Sequence, residues 1–385
     1  MSALSASFLN FLKYGNSSIF TKSAKSDSNT VMEETSPRVY PSNVSVELGR
    51  DLANQQVNWE VSTQGSPHAF ILGITGQGKS VTTRHIVDSF ASQGLPSIIL
   101  DLHGDMAANP PSGSKVVDAR ANGLGFSPFQ LSGHLPADIN DSAFEIAEIV
   151  GYVCDLGEIQ TMHVYRGMNQ AYKDLGWVNG EKGTRLPTIS EFADAVEAVE
   201  SGAKGKNARE RLMPFTDFGL FRDDDDQAFD PSGGGKGLVI DLHGYKNEKV
   251  LRAASSFILR KIYREMFLWS QDSTLKIAVV IDEAHRFAKD KTLPKLMKEG
   301  RKYGVSCLVA SQNISDFDKE VSGNSGTKIV FRTNFPESKK VAETVRGAGK
   351  NDLSKLIEQL NVGEAFVATP GQPIARKTRM IGDVK

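Results

Sequence analysis

The chain of 385 residues carries 45 Lys and Arg against 46 Asp and Glu, a net charge of −1, with 39% hydrophobic and 24% charged residues. That length allows one large core with an insertion or two modest domains, and the composition excludes a disordered or fibrous chain. A pI near 6.7 excludes a global electrostatic footprint for nucleic acid or anionic lipid, so any polyanion site must be local; no apolar run reaches membrane-spanning length. Two cysteines, Cys154 and Cys307, in apolar surroundings point to reduced thiols and a cytoplasmic protein.

In chain order, the stretch Leu4 to Leu12 is amphipathic but lacks the charged start and cleavage site of a secretory signal. It reads as a capping helix, with partner docking as the alternative. Residues 17–45 are rich in Ser, Thr, Asn and Lys and read as a flexible linker. The expected division is thus 1–46 for helix and linker and 47–385 for an α/β domain. Its predicted strands are Ala69 to Leu72, Ser97 to Leu100, Lys115 to Val117, Leu238 to Ile240, Ile277 to Ile281, Ser306 to Ala310, Lys328 to Phe331, and a closing pair at Glu364 to Ala368 and Ala375 to Met380. Several are unbroken Val/Ile/Leu runs, as expected of a parallel sheet covered by helices on both faces. Between about 131 and 230 strand signals give way to helical periodicity (Asp141 to Val153, Glu158 to Leu175, Thr188 to Ser201, Asn207 to Phe218), which predicts an inserted helical subdomain. The acidic run Arg222 to Gln227 reads as a solvated loop, and Gly233 to Lys236 as a flexible approach to a strand.

Gly73-Ile74-Thr75-Gly76-Gln77-Gly78-Lys79-Ser80 satisfies G-x-x-x-x-G-K-[ST] between an apolar strand and a helix that begins near Val81. In that setting the glycines let successive backbone N–H groups converge on a phosphate at the positive end of the helix. Lys79 adds a point charge for the outer phosphates, and the Ser80 hydroxyl is a hard ligand for Mg²⁺. Ile277 to Ile281 then delivers Asp282 and Glu283 to the C-terminal edge of a sheet: Asp282 suits the surroundings of Mg²⁺, and Glu283 suits polarising the water that attacks a γ-phosphate. Gln312 follows another strand and can hydrogen-bond that water and the γ-phosphate. Arg301 and Arg332 are the candidates for neutralising transition-state charge, Arg301 the favoured one, from an adjacent subunit. Asp101-Leu-His-Gly104 recurs as Asp241-Leu-His-Gly244; turn chemistry with an aspartate is the simpler account, a shared cleft the alternative. Lys246, Lys249, Lys319 and Lys328 lie near predicted strand ends and read as solvated groups.

Together the Gly73 to Ser80 loop preceded by Pro67-His68, Leu100 to Gly104, Ile281-Asp282-Glu283-Ala284-His285-Arg286-Phe287, Gly300-Arg301-Lys302-Tyr303-Gly304, Ala310-Ser311-Gln312 and Gly363 to Val367 resemble the HerA and FtsK superfamily of P-loop DNA translocases, its HerA branch above all. The resemblance covers nearly everything from Gly49 onward. It implies a RecA-like sheet and a homohexameric ring that binds ATP between subunits, with double-stranded DNA threaded through the centre. HerA proteins carry a β-barrel before the ATPase domain; the stretch ahead of Gly73 is too short and polar for one, which leaves open how a partner nuclease or other effector would dock. The expected function is an ATP- and Mg²⁺-dependent translocase or helicase on double-stranded DNA. The alternatives are a DNA pump of a conjugation or packaging system and a nucleotide-gated scaffold of a defence complex.

Overall fold

In the computed structural model, which describes residues 39–178, 180–200, 208–222, 230–317, 319–345 and 350–382, one sheet of eleven strands organises the chain. The strands are β1 Asn43–Asp51, β2 Gln56–Ser62, β3 Ala69–Leu72, β4 Ser97–Asp101, β5 Lys115–Asp118, β6 Leu238–Asp241, β7 Ile277–Ile281, β8 Val305–Ser311, β9 Thr327–Val330, β10 Glu364–Thr369 and β11 Gln372–Met380, in the spatial order β2-β1-β11-β10-β9-β3-β8-β7-β4-β6-β5. From β9 to β5 every pairing is parallel, whereas β10, β11, β1 and β2 extend the sheet antiparallel. The predicted α/β architecture, mainly parallel and flanked by helices, is therefore what the chain adopts. The predicted Leu4 to Leu12 helix and the acidic residues 223–227 lie outside the described residues.

The two regions of the sheet are built from different sequence patterns. In β3, β4, β7 and β8 every residue is buried, because helices cover both faces. Phe70, Leu72, Ile98, Leu100, Ile277, Val279 and Ile281 face one core layer; Ile71, Ile99, Val280, Leu308 and Ala310 face the other, where helix α1 (Lys79–Ser92) contributes Ile86, Val87 and Phe90. β1 and β2 instead alternate buried and exposed residues: Val44, Val46 and Leu48 pack inward with Val57, Trp59 and Val61, and Trp59 meets Phe90 at a centroid distance of 5.8 Å. This hairpin was not foreseen, and its first strand begins at Asn43, inside the stretch read as linker.

The helical insertion lies between β5 and β6 and consists of α2 (Pro136–Cys154), α3 (Glu158–Asp174), α4 (Ile189–Glu200) and two short helices, Ala208–Arg211 and Met213–Thr216. It packs on α5 (Glu248–Met266). The fixing point is polar: Arg260, buried on α5, pairs with Glu145 of α2 at 3.2 Å and donates to Ser142 Oγ and Pro128 O, while Arg264 reaches the same Glu145 oxygen at 2.9 Å. Burial brings the Arg260 guanidinium down to about 10, yet it stays charged near neutrality. The tri-glycine run before β6 is an ordered 3₁₀ turn, held by Asp230, which accepts from the backbone N–H groups of Ser232 and Gly234.

Candidate active site

Parallel strands share a direction, so the residues that follow β3, β4, β6, β7, β8 and β9 all emerge at one edge, where open α/β sheets hold ligands. After β3 comes the Gly73 to Ser80 loop, hung between its neighbours: Gly73 N–H donates to Ser311 O at 3.2 Å and Ile74 N–H to Arg332 O at 3.0 Å. Gly73 sits so close to the next strand end that a Cβ would lie 2.6 Å from Phe331 Cβ. Gly78 opens α1 with φ 111°, a conformation reserved for glycine that turns the loop into the first helical turn. Lys79 is buried, its Nζ donating back to Ile74 O at 3.3 Å. Gln77 O accepts from Gly363 N–H at 3.1 Å, which ties the antiparallel extension to the loop.

After β7 come the two carboxylates. Ser80 Oγ donates to Asp282 Oδ2 at 3.3 Å, so the hydroxyl and a carboxylate oxygen meet at the mouth of the loop. Gln312, just beyond β8, donates from Nε2 to Glu283 Oε2 at 3.0 Å, and His285 Nδ1 lies 3.3 Å from that same oxygen. Burial holds the Lys79 ammonium below its usual range against the opposing pull of Glu283 and Asp282, and burial with the Glu283 charge lifts Asp282 above the ordinary carboxylate range. Each charge sits where an ion of opposite sign stabilises it: an anion at Lys79, a cation at Asp282. Hard oxygen donors, Ser80 and Asp282, suit Mg²⁺ there. A cleft of about 260 Å³ opens beside Ser80 and Asp282, lined further by Arg84, His103 and Asp105.

The remaining predicted residues separate by edge. Arg332 follows β9 at the loop's own edge, and its Nε is buried without a hydrogen-bond partner among the described residues. Arg301 is exposed on the 3₁₀ turn Gly300–Tyr303 that precedes β8, so the length of that strand, about 20 Å, separates it from Gln312 in the same chain. The chain does not bring Arg301 into its own site. The two Asp-Leu-His-Gly motifs show turn chemistry, and the cleft beside Ser80 is lined by Asp101 and His103 of the first. Asp101 accepts from the N–H groups of His103, Gly104 and Ala107, and Asp241 from His243, which is turn chemistry. β4 and β6 are neighbours with Asp101 opposite Asp241, so the motifs sit side by side. Of the lysines read as solvated, Lys249 pairs with Asp155 at 2.8 Å and Lys328 is half-buried, its ammonium held below the usual range by burial. His285 had no assigned role beforehand; its place two residues after Glu283 was the only signal.

A phosphate-cradling loop, two carboxylates and an amide brought to one edge of a parallel sheet define a RecA-like P-loop ATPase. Residues 46–262 match the family described as helicase HerA, central domain, and residues 240–368 an AAA-like domain. The chain belongs to the helicase HerA central-domain family. It is 25% identical over 319 residues to a DNA double-strand break repair helicase HerA from Saccharolobus solfataricus, covering 78% of this chain and 61% of that one. It spans about three fifths of the length of the curated relatives it matches. Among solved structures, VirB4 of Thermoanaerobacter pseudethanolicus superposes with a TM-score of 0.69 at 18% identity, over 88% of this chain and 96% of that one. The plasmid coupling protein TrwB in complex with ADP and Mg²⁺ gives 0.60 at 18%, over 82% and 85%. At such identities the structures speak for the fold alone.

Proposed function

We propose that the chain hydrolyses ATP with Mg²⁺ and uses the cycle to drive movement on double-stranded DNA, as one subunit of a homohexameric ring working in the cytoplasm. The observation that carries this reading is the convergence of Lys79, Ser80, Asp282 and Glu283 on one edge, with Gln312 holding Glu283. The loop N–H groups and Lys79 bind the β- and γ-phosphates; Ser80 and Asp282 would hold Mg²⁺, which would supply positive charge to the transferring phosphoryl group. Glu283 accepts the proton of the attacking water. Arg332 reaches the phosphates within its own subunit, and Arg301, exposed at the far edge, is the arginine offered to a neighbour's site. The unit is a single ATPase domain carrying the insertion, and the surface of α2 and α3 is where an effector such as a nuclease would dock.

The family assignment and the names of its relatives support DNA as the track. The test is steady-state ATP turnover with and without long duplex DNA, with Lys79→Ala as the control for contaminating activity. Turnover is expected to rise several-fold with DNA and to vanish in Lys79→Ala. A rate indifferent to DNA, with no DNA binding at low salt, would overturn the reading.

A further inference from the structure

Glu283 is not free to turn. Its side chain is 12% exposed, and one oxygen, Oε2, is approached from two elements: Gln312 Nε2 donates to it at 3.0 Å from the end of β8, and His285 Nδ1, on the 3₁₀ turn Ala284–Phe287, lies 3.3 Å from it in ion-pair range without the alignment of a hydrogen bond. The other oxygen, Oε1, is thereby left to take the proton of a water. The backbone at Glu283 has φ 52° and ψ 39°, a left-handed conformation that a residue with a side chain adopts only where its surroundings impose it. The turn is what imposes it. Arg286 N–H donates to Glu283 O at 3.1 Å, Arg252 Nε on α5 donates to Arg286 O at 3.3 Å, and Arg286 pairs with Glu248 of α5 at 3.0 Å. His285 is thus carried on a turn anchored to a long buried helix, and its Nδ1 is buried and completes no hydrogen bond among the described residues, with Glu283 Oε2 3.3 Å away in ion-pair range.

We infer that His285 is a positioning residue for hydrolysis: it holds Glu283 Oε2 together with Gln312, so that Oε1 points at the water. The inference rests on the proposed role of Glu283 in ATP hydrolysis. In the tautomer with its proton on Nδ1, the ring offers a donor 3.3 Å from Oε2 that a small ring rotation would align, whereas Gln312 already reaches the same oxygen with one of its two amide hydrogens and keeps the other for the γ-phosphate. The division of labour follows from the geometry. Gln312 responds to the nucleotide, and His285 keeps the carboxylate aimed when Gln312 is drawn away. A binding role for His285 is not part of this, since among the described residues no hydrogen bond or ion pair joins it to the phosphate loop.

The experiment measures kcat and KM for ATP in the full chain carrying His285→Leu, His285→Ala or His285→Asn, with Glu283→Gln in the same assay. Leucine keeps the bulk without the donor, and the asparagine amide places an N–H near Nδ1. The expected result is kcat lower by about tenfold or more in the Leu and Ala variants, with KM within about twofold, because a misaimed base slows proton transfer without weakening binding. Asparagine is expected to restore kcat to within about threefold of the parent. The Leu variant is decisive should alanine leave the turn unfolded. Wild-type kcat in His285→Leu, or His285→Asn no better than His285→Leu, overturns the inference. Normal turnover by Glu283→Gln instead brings down the hydrolytic reading itself, whereas an inactive Glu283→Gln beside a fully active His285→Leu removes this inference alone.

Discussion

His68, one residue ahead of β3, is buried, and its Nδ1 accepts from Cys307 N–H at 3.0 Å, so the ring is a neutral brace between β3 and β8. Burial lowers its pKa from 6.5 to about 4. The unfolded chain takes up a proton below pH 6.5 and the folded chain only near pH 4, so this group removes stability as pH falls through that window and none above it. The whole window is worth on the order of 3 kcal/mol. His68→Asn, which keeps an acceptor near Nδ1 but does not titrate, should show a shallower fall of the urea midpoint between pH 6.5 and 4 than the parent; parallel curves would show that His68 is not buried neutral. At this scale the sequence was most readable where the residues are contiguous. Asp282 and Glu283 follow directly on β7, and Lys79 and Ser80 close a contiguous loop that follows β3, so a strand end fixes where each pair emerges. His285 was equally visible, but its contact with Glu283 depends on a left-handed turn that no local pattern specifies. The sequence favours Arg301 over Arg332 without placing either, and the strand direction separates them, since Arg301 precedes β8 and Arg332 follows β9.

Among the elements, the continuous apolar strands announced themselves, each with its bounds within a residue or two. β1 and β2 did not, although Val-Ser-Val-Glu-Leu and Val-Asn-Trp-Glu-Val alternate with period two. Polar residues on the wet face leave no continuous apolar run, and neither segment is among the predicted strands. The insertion was legible as helices, whereas its attachment was not, because a buried Arg on an amphipathic helix resembles a surface one until its partner is known. That attachment is testable. Glu145→Ala leaves Arg260 buried beside the like charge of Arg264, and removing one partner of a buried pair costs about 3 kcal/mol. The urea midpoint should drop accordingly, while Glu145→Gln, which keeps the acceptor, should lose less. Equal, small losses in both variants would mean that the pair does not fix the insertion.

For the whole molecule, the opposite placement of the two arginines makes a prediction about assembly. Subunits carrying Lys79→Ala and subunits carrying Arg301→Ala should each be inactive, since an arginine supplied across an interface is worth about 10³ to 10⁵ in rate. Mixed, they should recover turnover at interfaces that pair an intact loop with an intact Arg301. Lys79→Ala mixed with Arg332→Ala should recover none, because Arg332 lies beside its own loop. Recovery in both mixtures, or in neither, would reject this division of roles.

The strand order also sets a schedule for folding. The hairpin of β1 and β2 is joined to the rest of the sheet through β11, which leaves the ribosome about 300 residues after it. At 5–20 residues per second that is roughly tens of seconds of synthesis. Throughout that interval β1 lacks the strand that pairs with its inner margin, so the nascent hairpin, with Val44, Val46, Leu48 and Trp59, is an apolar ribbon with one raw margin. Closure must wait until β11 has been made, which makes this edge of the sheet the place where a chaperone has most to protect.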